Sequence, residues 1–270
     1  MTAEELLKAG HLSAAVERLN QEVRSRPTDM QRRTFLFELL CFAGDYQRAE
    51  RQLDVLGHQS ATAEIGVQVY RHILAAEQAR QRLFSEGVQP TFLFPPPSYA
   101  HLHLEALHRL CNHQPAEAVA LLEQSQRSQP PLKGSLAGQP FTEWRDGDDL
   151  LAPFLEVIVH NTYVWLPFEQ IKHLTISVPQ RLRDLLWIPA TLESHHGPVG
   201  DVFLPVLYAG SSEHTDERVK LGRMTDWKVV AEGLALGVGQ HLFCIDGQDR
   251  GMLEFRDIEF EAGSTQGSAP

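Results

Sequence analysis

The stretch that decides the fold is GHLSAAVERL, residues 10–19, because it recurs 34 residues later as GDYQRAERQL, residues 44–53. Thirty-four residues is the period of the tetratricopeptide unit, in which two antiparallel helices are joined by a tight turn. In such a unit glycine permits a left-handed turn, and a small alanine lets the helices approach closely. The repeat therefore predicts stacked helical hairpins. The coinciding residues are Leu6 and Leu40, Gly10 and Gly44, Ala15 and Ala49, and Leu19 and Leu53.

Further helices are predicted after the repeat. The run 64–84 is rich in Ala, Gln and Arg, and the segments 101–111 and 116–126 form another helical pair. The segment 89–97 ends in three consecutive prolines, which fix φ and remove backbone donors, so it cannot be helical. We expect it to be an extended connector that packs its phenylalanines on the helices. Residues 1–134 are thus predicted to form an all-α, tetratricopeptide-like domain.

The second half of the chain is predicted to be mainly β. Short runs rich in β-branched and aromatic residues occur at 155–160, 200–208, 240–245 and 252–260. Each run is bounded by Gly, Pro, Asp or Asn, which is typical of strands separated by turns. A helix or two is expected among them.

These patterns also suggest where the domains begin and end. The Pro- and Gly-rich segment 129–140 is interpreted as an interdomain linker. A mainly β domain is expected over residues 135–262, followed by a disordered tail over residues 263–270. The predicted fold class is therefore α+β, with helical hairpins preceding the strands.

Composition places the chain among ordinary globular proteins. Of its 270 residues, 43% are hydrophobic and 22% are charged, and no stretch approaches the roughly 20 apolar residues needed to span a bilayer. The N-terminal residues MTAEELLK are acidic where a signal peptide is basic. Cys41, Cys111 and Cys244 are too few and too widely spaced for a disulfide framework. We therefore expect a cytoplasmic protein that does not bind membranes.

Charge is distributed unevenly between the two halves. Residues 1–134 contain 14 Lys and Arg against 15 Asp and Glu, whereas residues 135–270 contain 10 against 20. This difference supports a division into two domains. An acidic half repels a phosphate backbone, and nucleic-acid binders need clustered Lys and Arg. Nucleic acid is therefore not an expected partner.

No motif in the sequence indicates catalysis, a cofactor or a metal. There is neither a glycine-rich nucleotide loop nor a Gly-x-Ser-x-Gly nucleophile elbow. His101, Glu105 and His108 would share one face of a helix, but the fourth ligand of a structural zinc site is not evident. We therefore expect no catalytic residue, no cofactor and no metal ion.

The strongest candidate for a binding surface lies on the helix predicted around residues 32–42. In a tetratricopeptide pair the first helix lines the concave face, which is suited to holding partner peptides. One helical face is expected to be core, and the opposite face is predicted to form a groove whose arginines meet carboxylates of a partner. The alternative is plain core behind a solvated polar face. The predicted protein-binding residues are Arg32, Arg33, Leu36, Phe37 and Leu40.

Longer motifs run in order through both halves of the chain. KLGRMTDW at 220–227 contains the quite specific pattern Leu-Gly-Arg-x-Thr-Asp-Trp. Together the motifs cover most of residues 1–261 and resemble the ImpE/TagJ family, also called SciE, of bacterial type VI secretion accessory proteins. The other motifs are ELLCFAGDYQRAE at 38–50, YVWLPF at 163–168, LWIPAT at 186–191, GDVFLPVLY at 200–208, GVGQH at 237–241 and LEFRDI at 253–258.

The resemblance implies a non-enzymatic role. Proteins similar to this one are cytoplasmic, bind the N-terminal region of the small sheath subunit, TssB, and assist sheath assembly or its recycling by the ClpV ATPase. A tetratricopeptide-like domain is physically suited to holding an amphipathic helix. Trp165, Trp187 and Trp227, which lie in the family motifs of the second half, are expected to be core residues.

Two other functions remain open from the sequence. One is a self-associating structural scaffold. The other is a hydrolase in the acidic half that uses Asp201, Asp226 or His241, since these polar residues lie near glycine turns in an apolar domain. A carboxylate with a strongly perturbed pKa in a deep pocket would favour the hydrolase.

Overall fold

Helices fill the first half of the chain and antiparallel strands fill the second, so the fold is α+β, as predicted. The computed structural model of the protein describes residues 1–58 and 61–262. The predicted tail, 263–270, lies outside the described residues. Within the described ranges, no helix has both the length and the apolar character needed to cross a membrane.

The N-terminal helices pack in chain order, each against the next. The long fifth helix also packs on β5 (Thr162–Pro167), a strand of the main sheet in the second half of the molecule. The helices of the first half are α1 (Ala3–Lys8), α2 (Leu12–Ser25), α3 (Met30–Phe42), α4 (Tyr46–Gly57), α5 (Ala61–Glu86), α6 (Ala100–Cys111) and α7 (Pro115–Ser128), and a short helix, α8 (Glu217–Lys220), lies among the strands of the second half.

The same turn geometry recurs in three helical hairpins. Gly10 and Gly44 adopt φ values of +87° and +72°, a conformation that glycine adopts without strain. After each glycine, the next amide donates to the carbonyl five residues earlier, at 2.9 Å in both turns. In the third hairpin His113 takes the left-handed place, with φ +58°, and the same bond closes at 2.9 Å. The sequence repeat therefore corresponds to a repeated structural unit.

Close helix packing explains the recurring alanines. Ala15, Ala49 and Ala118 each have 0% of their surface exposed. Each lies on the second helix of its hairpin, so its side chain faces the first helix or a neighbouring hairpin. A larger side chain at these positions would push the helices apart, because protein interiors are close-packed.

Three antiparallel sheets make up the second half of the molecule. The strands are β1 (Gly134–Leu136), β2 (Gln139–Phe141), β3 (Trp144–Asp146), β4 (Phe154–Val159), β5 (Thr162–Pro167), β6 (Ile171–Ile176), β7 (Trp187–Ser194), β8 (Gly197–Pro205), β9 (Thr225–Ala231), β10 (Leu234–Gly239), β11 (Leu242–Ile245), β12 (Gln248–Gly251) and β13 (Asp257–Phe260). The main sheet has the order β2-β1-β13-β6-β7-β8-β4-β5. A smaller sheet has the order β12-β11-β3, and β9 and β10 form a separate hairpin.

The core of the β half is an aromatic cluster centred on Trp144. The ring of Trp144 lies between the main sheet and the three-stranded sheet, with five phenylalanine rings at centroid distances of 5.2–6.0 Å. Edge-to-face and offset contacts of this kind stabilise a core beyond simple burial. The five are Phe141, Phe168, Phe243, Phe255 and Phe260.

The segment interpreted as an interdomain linker is only partly a connection. Residues 134–136 and 139–141 form β1 and β2 at one edge of the main sheet, with β2 as the edge strand, so the linker prediction was wrong for that portion. Gly134 lies so close to β13 that an added Cβ would come 1.9 Å from the Glu259 carbonyl. Pro140 is tolerated because β2 is an edge strand. Glycine and proline here serve strand packing at a sheet edge.

The Pro-rich connector is extended, as predicted, but its aromatic side chains face the other half of the molecule. Phe92 packs on Phe154 of β4, with ring centroids 6.2 Å apart, and Phe94 packs on His196 at 4.9 Å. The amide of Trp165 donates to the carbonyl of Thr91 at 3.1 Å, so the connector covers the free edge of β5. These ring contacts are with the β half, beyond the helices on which the phenylalanines were expected to pack, and the edge of the sheet offers unpaired backbone groups that the connector satisfies.

The packing role of the recurring alanine leads to a stability prediction. We expect Ala49→Leu to lower the free energy of unfolding by about 1–3 kcal/mol, since the added carbons have no space between the helices. Ala75→Leu is the matched control, because Ala75 is an exposed position within α5. Urea denaturation followed by circular dichroism measures both. Equal stabilities for the two variants would contradict the packing argument.

Candidate partner-binding site

A cleft of about 600 Å³ opens between helices α5 and α6 on one side and the β9–β10 hairpin on the other. Its volume lies in the range of ordinary ligand pockets. The apolar lining comes from Phe84, Leu107, Leu110, Leu150, Leu151, Trp227, Leu236 and Val238. The polar lining comes from Gln81, Ser85, Asp148, Glu213, His214, Asp226 and Lys228.

Two glycines allow the hairpin to lie closely over this site. Trp227 of β9 packs on Tyr208, with ring centroids 6.0 Å apart. A Cβ on Gly237 would lie 2.4 Å from the Tyr208 ring, and a Cβ on Gly147 would lie 2.7 Å from the Trp227 ring. Because neither position tolerates a side chain without a shift of the aromatic ring, glycine is required for this wall of the cleft.

Side chains from two loops hold the outer edge of β10. The amides of Ala235 and Gly237 donate to the carboxylates of Asp149 and Asp148, both at 2.7 Å. The amide of Gly239 donates to the Ser211 hydroxyl at 2.7 Å. These bonds replace the neighbouring strand that β10 lacks on this side, and they fix the hairpin against the body of the protein.

Asp148 is the perturbed carboxylate of the cleft. Burial, together with the nearby charge of Asp146, raises the pKa of Asp148 to about 7. Its Oδ1 also accepts the amides of Leu150 and Leu151, at 2.8 and 3.1 Å, while Oδ2 accepts the amide of Gly237. Three backbone amides therefore already donate to this carboxylate. Through these bonds Asp148 holds the loop at residues 148–151 and the β9–β10 hairpin together.

A fully buried ion pair lies next to the cleft and joins the two halves of the chain. Arg80 of α5 donates Nε and Nη2 to the two oxygens of Glu156 on β4, each at 2.7 Å. Nη2 also donates to the Leu207 carbonyl at 2.8 Å, and Nη1 donates to Glu77 at 3.1 Å. The side chains of Arg80 and Glu156 are 3% and 1% exposed. Such a bidentate pair fixes orientation as well as distance.

His241 extends the ion pair into the β half. Its Nδ1 lies 2.9 Å from Asp146 Oδ2, and its Nε2 lies 2.9 Å from Glu156 Oε2. Burial alone would lower the pKa of His241, but the charges and hydrogen bonds of Asp146 and Glu156 outweigh it and raise the pKa to about 9. Burial would raise the pKa of Glu156, and Arg80 and His241 hold it well below its usual range instead. His241 is therefore a buried cation that bridges two carboxylates.

The segment 217–227 connects the cleft to the first helical hairpin. Arg223 donates to the carbonyls of Lys8 and Leu7 at the end of α1, at 3.0 and 2.7 Å. Glu217 accepts the amide of Ser13 at 2.8 Å and so caps the start of α2. Both side chains place a charge where the orphan groups and dipole of a helix end favour it.

Comparison with known proteins identifies the family of the chain. The family model described as ImpE protein matches residues 138–259. The chain is 38% identical over 261 residues to the type VI secretion system accessory component TagJ of Pseudomonas aeruginosa, which covers 97% of this chain and 92% of that relative. The chain belongs to the ImpE/TagJ family. The resemblance carried by the sequence motifs is confirmed.

A solved structure shares the fold of this family member. The X-ray crystal structure of protein VPA1032 from Vibrio parahaemolyticus matches with a TM-score of 0.88 and covers 96% of this chain and 97% of that one. The two sequences are 23% identical, so the likeness concerns the fold alone.

The specific family motif at 220–227 lies on the segment that links the first hairpin to the cleft. Trp227, the last residue of the motif, is partly exposed as a wall of the cleft, so the expectation that it is a core residue was wrong. Trp165 and Trp187 are core residues, as expected, with 0% and 3% exposed. Trp227 lies on a two-stranded hairpin, whereas the other two tryptophans lie in the eight-stranded main sheet, where Trp187 donates to Glu77 of α5.

The structure places the predicted binding residues of α3 in two different environments. Leu36, Phe37 and Leu40 are at most 1% exposed, so they are core and line no open groove. The prediction was wrong for them because both faces of α3 are covered. Arg32 bonds to Asp29 and to Glu22 at 3.1 Å, and Arg33 donates to Gln52 at 2.9 Å and to the Pro27 carbonyl at 2.8 Å. The two arginines remain partly exposed.

The residues weighed for a hydrolase lie in separate surroundings. His241 is 1% exposed, with both ring nitrogens facing carboxylates. Asp201 is exposed and accepts a bond from Thr191 at 3.1 Å, whereas Asp226 lies at the cleft 3.3 Å from His214. Among the described residues, no group of three or more His, Cys, Asp or Glu side chains is arranged to hold a metal ion.

Sequence reasoning missed the buried ion pair, although one signal was present. Glu156 interrupts the apolar run LEVIV at 155–159. A carboxylate within a strand that is otherwise apolar requires a buried partner. The partner, Arg80, lies 76 positions away in a helix, and no local pattern links the two.

Removing the buried arginine should cost much more stability than removing an exposed one from the same helix. We expect Arg80→Met to lower the free energy of unfolding by about 3–5 kcal/mol, because it leaves Glu156 buried beside fewer cations. Arg71→Met is the control, since Arg71 pairs with the more exposed Asp54 and Glu64 and should contribute about 0–1 kcal/mol. Urea denaturation measures both changes, and a similar loss for the two variants would refute the role of burial.

The raised pKa of His241 predicts how stability depends on pH. An unfolded imidazole titrates near pH 6.5 and the folded one near 9, so the contribution is complete below pH 6.5 and disappears as pH rises through about 9. On this basis wild-type protein should lose on the order of 3 kcal/mol over that interval. The groups facing His241 are Asp146, Glu156 and the ring of Tyr208.

The variant His241→Gln tests this assignment through the slope of the unfolding free energy against pH. Unfolding free energies measured in urea at a series of pH values should fall less steeply above pH 6.5 in the variant than in wild type, whatever the absolute stability of the variant. An unchanged slope would assign the pH dependence to other groups.

Proposed function

We propose that this protein is a non-enzymatic, cytoplasmic adaptor of a type VI secretion system that binds the N-terminal helix of the small sheath subunit, TssB. In this role it assists sheath assembly or the ClpV-dependent recycling of the sheath. The observation that carries the proposal is the open cleft of about 600 Å³ in a chain whose curated relative is named an accessory component of that system.

The physical properties of the molecule suit an adaptor. The buried ion pair of Arg80 and Glu156 joins the helices to the main sheet, so the molecule can present a rigid surface to a partner. The cleft offers apolar and aromatic side chains with polar groups around them, as in grooves that hold one face of an amphipathic helix. Ordering a short helix on docking has an entropic cost, so the affinity should be moderate.

One observation favours the alternative of a hydrolase. Asp148 is a carboxylate with a raised pKa in the wall of a pocket. A general base must face the proton that it removes, whereas three backbone amides already bind the oxygens of Asp148. These contacts make Asp148 a structural group, which supports the adaptor over the enzyme.

The surface of α3 supplies a second candidate contact. Since Leu36, Phe37 and Leu40 are buried, only Arg32 and Arg33 of the predicted set are placed to meet a partner's carboxylates. Arg33→Glu would weaken binding if the helix docks there. The alternative function is that of a self-associating structural scaffold. Light scattering of the free protein distinguishes a self-associating scaffold from a monomeric adaptor.

Direct binding is the test of this proposal. We expect a fluorescent peptide from the N-terminus of the cognate small sheath subunit to bind the full chain with a dissociation constant of about 1–100 µM, read by anisotropy. A peptide of the same composition with two internal prolines, which cannot form the helix, is the control. No anisotropy change with the native peptide, together with an empty pull-down against assembled sheath, would disprove the adaptor role.

A further inference from the structure

The apolar part of the cleft is open to a partner. Phe84 and Leu110 on the helical side are partly exposed, as are Trp227 and Leu236 on the hairpin side. Two facing apolar walls that belong to different halves of the chain can enclose a side chain inserted between them. Burial of such a side chain removes apolar surface from water and so favours binding.

The strand that lines the cleft favours a helical ligand over an extended one. An added β-strand binds through free backbone groups at a sheet edge. On β10, the amides of Ala235, Gly237 and Gly239 already donate to Asp149, Asp148 and Ser211. A helix satisfies its own backbone and needs only side-chain contacts, so it fits a wall whose amides are occupied.

The charged groups of the cleft specify the chemistry of the ligand. Backbone amides already occupy the carboxylate of Asp148, which leaves those of Glu213 and Asp226 against one ammonium group, from Lys228. Within residues 1–58 and 61–262, no Lys or Arg nitrogen lies within 4.0 Å of these two carboxylates, and the one ionisable nitrogen near Asp226 is that of His214 at 3.3 Å. Uncompensated negative charge at an apolar groove selects a partner that brings positive charge.

We propose that the sheath-subunit helix docks in this cleft, with an apolar side chain between Phe84, Leu110 and Trp227 and an adjacent Lys or Arg beside Glu213 and Asp226. This assignment rests on the proposed function and adds to it the site and the chemistry of the ligand. It places the docking site at the junction of the helical and β halves instead of on α3.

The first test fills the cleft without removing any packing. Ser85 is an exposed residue of α5 at the rim, so Ser85→Trp adds bulk where the helix would lie. We expect the anisotropy assay with the native peptide to show at least tenfold weaker binding. Ala75→Trp on the same helix is the control, because Ala75 is exposed but lies outside the cleft, and its affinity should equal that of wild type.

The second test reverses the charge of the rim. Glu213→Lys should weaken binding of the peptide by about tenfold at low salt, with a smaller difference at high salt as charges are screened. Asp249→Lys is the matched control, because it makes the same change at an exposed position outside the cleft. A peptide whose Lys and Arg are replaced by Glu should bind Glu213→Lys better than it binds wild type.

The outcomes separate this inference from the proposal on which it rests. Binding of the peptide to wild type that neither Ser85→Trp nor Glu213→Lys changes would overturn the cleft assignment and leave the adaptor role intact. Failure of wild type to bind would overturn both. If light scattering shows that Ser85→Trp converts a dimer to a monomer at unchanged peptide affinity, the cleft holds a second copy of the chain and the assignment is wrong.

Discussion

The buried ion pair between Arg80 and Glu156 is the contact on which the arrangement of the two halves depends. Arg80 comes from the long helix α5 and Glu156 from the main sheet, and both are almost fully removed from solvent. Each charge is tolerated there because opposite charges surround it: Glu156 and Glu77 around Arg80, and Arg80 and His241 around Glu156. A shift of α5 along the sheet would break both bonds between Arg80 and Glu156, so the pair fixes the position of the helix as well as its contact with the sheet.

The position of the cleft follows from that constraint. One of its walls belongs to α5 and α6 and the other to the β9–β10 hairpin, so its width is set by how the halves are joined. Tyr208 connects the two features, because its ring supports Trp227 while its hydroxyl donates to Asp146 at 2.7 Å. The carboxylates that surround the hairpin therefore serve the interior network and the candidate docking surface at once.

Local patterns predicted the helices well and the exposed surfaces poorly. The 34-residue repeat identified the turns at Gly10 and Gly44, because a left-handed turn favours glycine at a fixed distance from the alanine at which the helices pack closely. Both requirements are visible in neighbouring residues of the sequence. The groove proposed on α3 depended on which face is open, and every residue from Leu36 to Phe42 is buried by packing from other elements. Arg183 from the β half even pairs with Glu38 of α3, at 2.8 Å, a contact that spacing within the helix does not reveal.

The sequence by itself determined the class of fold, the family and the order of helices before strands, since periodicity and motifs are properties of neighbouring residues. The tertiary structure alone decided that the segment 134–141 joins the main sheet, that Trp227 faces a cleft and that Arg80 meets Glu156. Each of these depends on residues brought together from distant parts of the chain. Burial and charge neutralisation act through space, so a site built from them becomes visible only when the chain is folded.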